Sequence, residues 1–191
     1  MKITPIIGIE VHIELQTKSK MFCSCSASHF QVEPNTHTCP VCLGLPGALP
    51  VPNQTACDYC IKLGLALGCS INRETFFERK NYFYPDLPKS YQITQLQQPF
   101  CIHGQVILDG HTIRINRAHM EEDTGKSVHQ HLNGVDATLL DYNRSGVPLV
   151  EIVSEPDILS PEMAKGELRG GQQRGHYMGV RDADIEKGRM R

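Results

Sequence analysis

Residues 9–15, IEVHIEL, alternate strictly between apolar and polar. A period of two is the signature of a half-buried β-strand, with Ile9, Val11, Ile13 and Leu15 on one face and Glu10, His12 and Glu14 on the other. Same-face neighbours on a strand lie about 7 Å apart, so the polar face carries three chemistry-bearing side chains in a row. Two further stretches repeat the pattern. Gln105 to Glu122 reads as a hairpin, VIL, a turn at Asp109-Gly110, then TIRINRAHMEE. The apolar parity changes between Ile115 and Ala118, which predicts a bulge there. VPLVEIVSE predicts another strand, with Glu151 and Glu155 sharing a face.

One helix stands out. Asn53 suits an N-cap, TACDYCIKLGLALG continues from it, and Gly68 suits the stop. Pro85 and Pro88 deny the aromatic stretch NYFYPDLPKSYQITQ any long regular element. Strands with one clear helix predict an α+β fold. The 191 residues suffice for one large core, and a net charge of -2 offers no global field for gathering polyanions. MKITPIIG lacks the apolar run of a secretory leader, and no window has the length of a membrane span. Eight cysteines without such a leader indicate a reducing compartment, the cytoplasm, where thiols serve as metal ligands or small buried hydrophobes.

Cys23-x-Cys25 and Cys39-x-x-Cys42 bracket a loop rich in turn residues. Two short-spaced pairs can give four thiolates to a tetrahedral Zn²⁺, the staple that a loop without a core of its own requires. Cys57 and Cys60 fall at i and i+3 in the predicted helix beside Leu63 and Leu67, so they read as core; Cys69 and Cys101 are unpaired by spacing. Glu10, His12, Glu122 and Glu151 all fall on predicted strands, and Glu151 is set in an apolar run where a lone carboxylate would be costly. Gathered carboxylates need a cation, and Mg²⁺ prefers oxygen donors and bridges carboxylates to phosphates. TGKS at 124–127 is not a P-loop, because Met120 stands where glycine is required. Lys126 and Arg144 are the local candidates for holding phosphate or nucleotide.

IGIEVHIELQTKSKMF, RKNYFYPDLPKSYQITQ, HMEEDTGKS and DYNRSGVPLVEIVSEPD together resemble the B subunits of the aspartyl/glutamyl-tRNA amidotransferases, in that family's order, over most of residues 7–160. The resemblance implies an ATP-dependent ligase that phosphorylates the side-chain carboxylate of Glu-tRNA(Gln) or Asp-tRNA(Asn) and amidates it with ammonia from a glutaminase subunit. It implies an antiparallel-sheet cradle of the glutamine synthetase-like type, with Glu10, His12, Glu122 and Glu151 as catalytic and Mg²⁺-binding positions. Lys80 and Lys89 would lie along an ammonia passage ending at Glu122, and Cys23, Cys25, Cys39 and Cys42 would bind zinc. The implied partners are the amidase (A) and small (C) subunits of a heterotrimer, together with misacylated tRNA. Residues 1–191 would be a partial catalytic domain, since family members continue into helical and tail domains. Two other readings, a zinc-stapled RNA-binding module and a metal hydrolase, lack a basic cluster and an H-E-x-x-H motif respectively. After Ser160-Pro161-Glu162 the family's helix is expected, but Gly166, Gly170, Gly171 and Gly175 predict one that is frayed or dependent on a partner.

Overall fold

A computed structural model describes residues 4–108, 110–132, 134–177, 179–180 and 190. Its centre is a five-stranded antiparallel sheet in the order β1-β9-β6-β5-β2, formed by β1 (Glu10–Glu14), β9 (Pro148–Ser154), β6 (His111–Glu122), β5 (Cys101–Leu108) and β2 (Ser70–Ile71). The alternation in β1 becomes a two-sided surface. Val11 and Ile13 join Ala118, Met120, Val150 and Ile152 in the core beneath the sheet. Helix α1 (Gln54–Ala66) closes that core with Ala56, Cys60 and Leu63, all fully buried.

The helix begins where the sequence places it, with the Asn53 side chain accepting a hydrogen bond from Ala56 N at 3.3 Å. It ends before Gly68, whose φ of 68° is the left-handed conformation that releases a chain from a helix. The β6–β9 register shifts between Ile115 and Arg117, the irregularity that the parity change predicts. Gly110 adopts φ 81° as a hairpin turn requires, while Asp109 lies outside the described residues.

Two small two-stranded ladders are separate from the central sheet. β3 (Glu78–Asn81) pairs with β4 (Tyr91–Thr94), flanking the Pro85–Pro88 loop, so the aromatic stretch is a short hairpin with an irregular tip. β7 (Lys126–Leu132) pairs with β8 (Val135–Asp141). Its pattern escapes a period-two reading because both faces are largely exposed, although Asn133-Gly134 is a strong turn signal. α2 (Pro161–Tyr177) forms despite its glycines, with Met163 and Ala164 packed against the core. The molecule is α+β, as the pattern of elements predicts. No helix among the described residues is long and apolar enough to cross a membrane.

Candidate metal centre on the polar face of the sheet

The register of three strands builds the centre. His12 on β1 is paired with Glu151 on β9, which is paired in turn with His119 on β6. These residues, with Glu121 two positions further along β6, therefore share the face opposite the apolar core. His12 Nε2 lies 3.2 Å from Glu151 Oε2 and 3.4 Å from Glu121 Oε2. His119 Nε2 approaches the same carboxylates from the buried side, 3.4 Å from Glu121 Oε1 and 3.7 Å from Glu151 Oε2. Thr94 Oγ1 donates to Glu121 Oε1 at 2.7 Å and Gln92 Nε2 to Glu121 Oε2 at 3.1 Å, so β4 orients this carboxylate.

The ligand atoms of His12, Glu121 and Glu151 all lie within 4.8 Å of one another, and one imidazole with two carboxylates suits a hard or borderline divalent cation. Both carboxylates are buried, a costly arrangement unless positive charge joins them. Hydrogen bonds to Glu121 and then Glu151 raise the His12 pKa to about 9. Burial pushes the Glu121 carboxyl up, but hydrogen bonds from His119, His12 and Thr94 outweigh it and hold Glu121 well below the usual carboxylate range.

The gathered set differs from the expected one. Glu121, which the sequence did not single out, takes the position assigned to Glu122. The pleat turns the two neighbours to opposite sides, and the parity of His119 would have selected Glu121. Glu122 instead pairs with Lys89 and accepts a hydrogen bond from Ile93 N at 3.0 Å. Burial raises its pKa despite the Lys89 charge. Glu10 is exposed at the start of β1, two residues before His12 on the same face, and is not among the converging donors. Lys80 is exposed on β3, paired with Gln92 in the ladder. Lys126 is exposed at the start of β7. Arg144 is held by the carbonyls of Thr124 and Gly125, at 3.0 and 2.7 Å, and stands 3.6 Å from Asp123.

The four sulfurs of Cys23, Cys25, Cys39 and Cys42 also lie within 4.8 Å of one another, and Cys39 and Cys42 are 3.8 Å apart. Tetrahedral zinc with Zn–S near 2.3 Å requires sulfurs about 3.8 Å apart, so the cluster fits. Cys42 is pulled down to about 4 by its hydrogen bond with Cys23 and, against burial, by the Cys39 N–H and the Lys20 charge. Lys20 is wholly buried, its Nζ 3.6 Å from the Cys42 sulfur. Cys60 is buried in the core with Cys57 partly buried against it, as their place in the helix predicts; Cys69 and Cys101, unpaired by spacing, are buried there as well.

The fold and the two clusters define an α+β domain with a candidate cation centre on one face of its sheet and a four-thiol knuckle beside it. Residues 5–191 match the GatB/GatE catalytic domain family, and the chain belongs to it. It is 52% identical over 193 residues to the B subunit of the aspartyl/glutamyl-tRNA(Asn/Gln) amidotransferase of Thermosipho melanesiensis, covering 100% of this chain and 40% of that protein. Against the Thermus thermophilus protein of the same name, identity is 53% over 186 residues, 97% of this chain and 39% of the relative. The chain thus spans about 40% of the length of these relatives.

Proposed function

We propose that this chain is the catalytic part of the B subunit of an ATP-dependent tRNA amidotransferase. The convergence of His12, Glu121 and Glu151 carries this reading. An aspartyl or glutamyl carboxylate esterified to tRNA is a poor electrophile. Transfer of the γ-phosphoryl group of ATP to it gives an acyl phosphate and ADP; ammonia then displaces phosphate, leaving the amide. A divalent cation, Mg²⁺, would neutralise the carboxylate and polyphosphate that have to meet. His12, Glu121 and Glu151 would hold it, with Glu10 at the open end of the same strand face. His119, Thr94 and Gln92 keep the two buried carboxylates aimed at that point. Lys126 and Arg144 are the cations proposed to receive phosphate.

Glu122 and Lys89 would act on the nucleophile. A buried carboxylate with a raised pKa accepts a proton readily, so Glu122 can take one from ammonium and release the reactive amine. Lys80 and Lys89 are then the residues of the passage leading to it. The ammonia would come from an amidase (A) subunit, held with a small (C) subunit in a heterotrimer. The relatives' name, that of one subunit of a tRNA amidotransferase, supports a multi-subunit assembly; a glutamine synthetase-like cradle and a cytoplasmic setting are part of the same proposal. Zinc in the four thiols would be structural.

Ammonium, ATP, Mg²⁺ and Glu-tRNA supplied to the whole heterotrimer should yield amidated tRNA only when ATP is present. Glu151→Gln and His12→Ala should reduce that yield at least about a hundredfold. Amide formed without ATP would defeat the proposal.

A further inference from the structure

Among the described residues Lys20 is the largest fully buried side chain, and its ammonium has three N–H donors to place. Nζ donates to His37 O at 2.7 Å, to Tyr142 O at 3.2 Å and to the Cys42 sulfur at 3.6 Å. All three donors are thereby used. None of these acceptors is a carboxylate. A buried ammonium is costly unless an anion faces it, and of the three acceptors only the sulfur can carry a full negative charge.

The main chain of the same residue is fixed to the other arm of the knuckle. Lys20 N donates to Cys25 O at 2.9 Å, and Ser19 bridges Ser26 beside it. Asn53 Nδ2 donates to Lys20 O at 3.3 Å, which ties the start of α1 to this point. The lysine stem runs past Gly146, where a Cβ would stand 3.5 Å from Lys20 Cδ and as close to Cys42 Cβ. One residue therefore meets both arms, the Cys23–Cys25 arm through its backbone and the Cys39–Cys42 arm through its ammonium.

Four thiolates around Zn²⁺ leave a net double negative charge. Held out of water, such charge favours protonated sulfur over bound metal. A fixed positive charge against one sulfur opposes that. An N–H···S bond from a charged donor also draws electron density off the thiolate and so alters its donation to the metal.

We infer that Lys20 is the counter-ion of the metal-loaded knuckle: its ammonium, bonded to Cys42, sets the affinity of the four thiols for a tetrahedral, thiophilic cation such as Zn²⁺. This goes beyond the proposed function and does not depend on the amidation chemistry. Lys20 touches no reacting atom; it positions and balances the charge of the thiol cluster. The competing account is mechanical, with Lys20 only bracing the loop through the His37 and Tyr142 carbonyls. Asn143 separates the two, because it braces the same loop without touching a thiol in these bonds, accepting from His37 N at 2.7 Å and donating to Glu33 O at 2.8 Å.

The test is metal binding by the intact protein, with Zn²⁺ affinity read by competition against a chromophoric chelator and the thiolate-to-metal charge-transfer band read on the Co²⁺-substituted form. Lys20→Met, which keeps the stem and removes the charge, should weaken Zn²⁺ binding about tenfold or more and move the Co²⁺ band to longer wavelength. Lys20→Arg should recover most of the affinity. Asn143→Ala should open the loop to proteolysis but leave Zn²⁺ affinity within about threefold and the band in place. Affinity unchanged in Lys20→Met, or lost equally in Asn143→Ala, overturns the inference, as does a protein whose thiols take up no metal. If Lys20→Met does not fold, the unaltered protein decides the matter, since a charge that favours the metal is by linkage held in place by it. Acylation of Lys20, followed by mass spectrometry, should then be about tenfold or more faster once the metal is stripped, and equal rates in the two states overturn the inference.

Discussion

His12 illustrates how one side chain can be both legible and incomplete in a sequence. Its place on a polar strand face follows from alternation alone, but its chemistry depends on Glu151 and Glu121, which lie on other strands and hold it protonated to about pH 9. Cation binding there has to expel that proton. Titration calorimetry at about pH 7 in buffers of different ionisation enthalpy should therefore show about one proton released per Mn²⁺, with apparent affinity rising as pH approaches about 9. His12→Ala should remove the release. The sign for stability follows the same shift. A raised histidine contributes fully below about pH 6.5 and loses its contribution as pH rises to about 9, so the metal-free protein should melt at progressively lower temperature across that window. Constant Tm across the same window would contradict the His12 pairing. Glu121 shows the limit of reading motifs: in Glu121-Glu122 either acid is plausible on paper, and only the face on which His119 already sits decides between them.

At the scale of elements, α1 and the central strands were readable because their patterns report burial directly. Asn53, Gly68 and the apolar run between them needed nothing beyond local chemistry. β7 and β8 were missed because neither face is buried, so no hydrophobic period exists to be seen. The contact between α1 and β5 could not be read at all. A Cβ on Gly64 would stand 2.2 Å from the Cys101 sulfur and 2.8 Å from its Cβ, so the helix reaches the sheet only because this position has no side chain. Gly64→Ala should cost about 1–3 kcal/mol by chemical denaturation despite the better helix propensity of alanine. In α2, Met163 and Ala164 touch the core and a Cβ on Gly166 would stand 2.8 Å from Leu108 Cδ2 of β5, so this glycine too lies close to the sheet, while four glycines together lower the helix's own propensity. Its amides past Gly166 are expected to exchange faster than those of β6 and β9, and protection as slow as the sheet's would contradict a frayed helix.

Across the whole molecule two kinds of stabilisation sit side by side. The sheet and α1 share one hydrophobic core, whereas the Cys25–Cys39 loop is anchored by Lys20, asparagine side chains and the thiol cluster. Chelation should therefore expose residues 28–37 to limited proteolysis while the far-ultraviolet signal of the sheet changes little. Loss of both together would show that the loop and core form a single cooperative unit. The sequence by itself determined the α+β class, the strands β1, β6 and β9, the helix α1, the four-thiol set and the family likeness, because periodicity, caps and ligand spacing are local properties of the chain. Tertiary structure alone decided which strands bring Glu121 against His12 and Glu151, that Glu122 belongs to Lys89, and that the cysteine loop walls a cavity beside the sheet. Those outcomes depend on strand register and on contacts between residues far apart in the chain, such as Asn143 with Glu33 and His37, which no local pattern encodes.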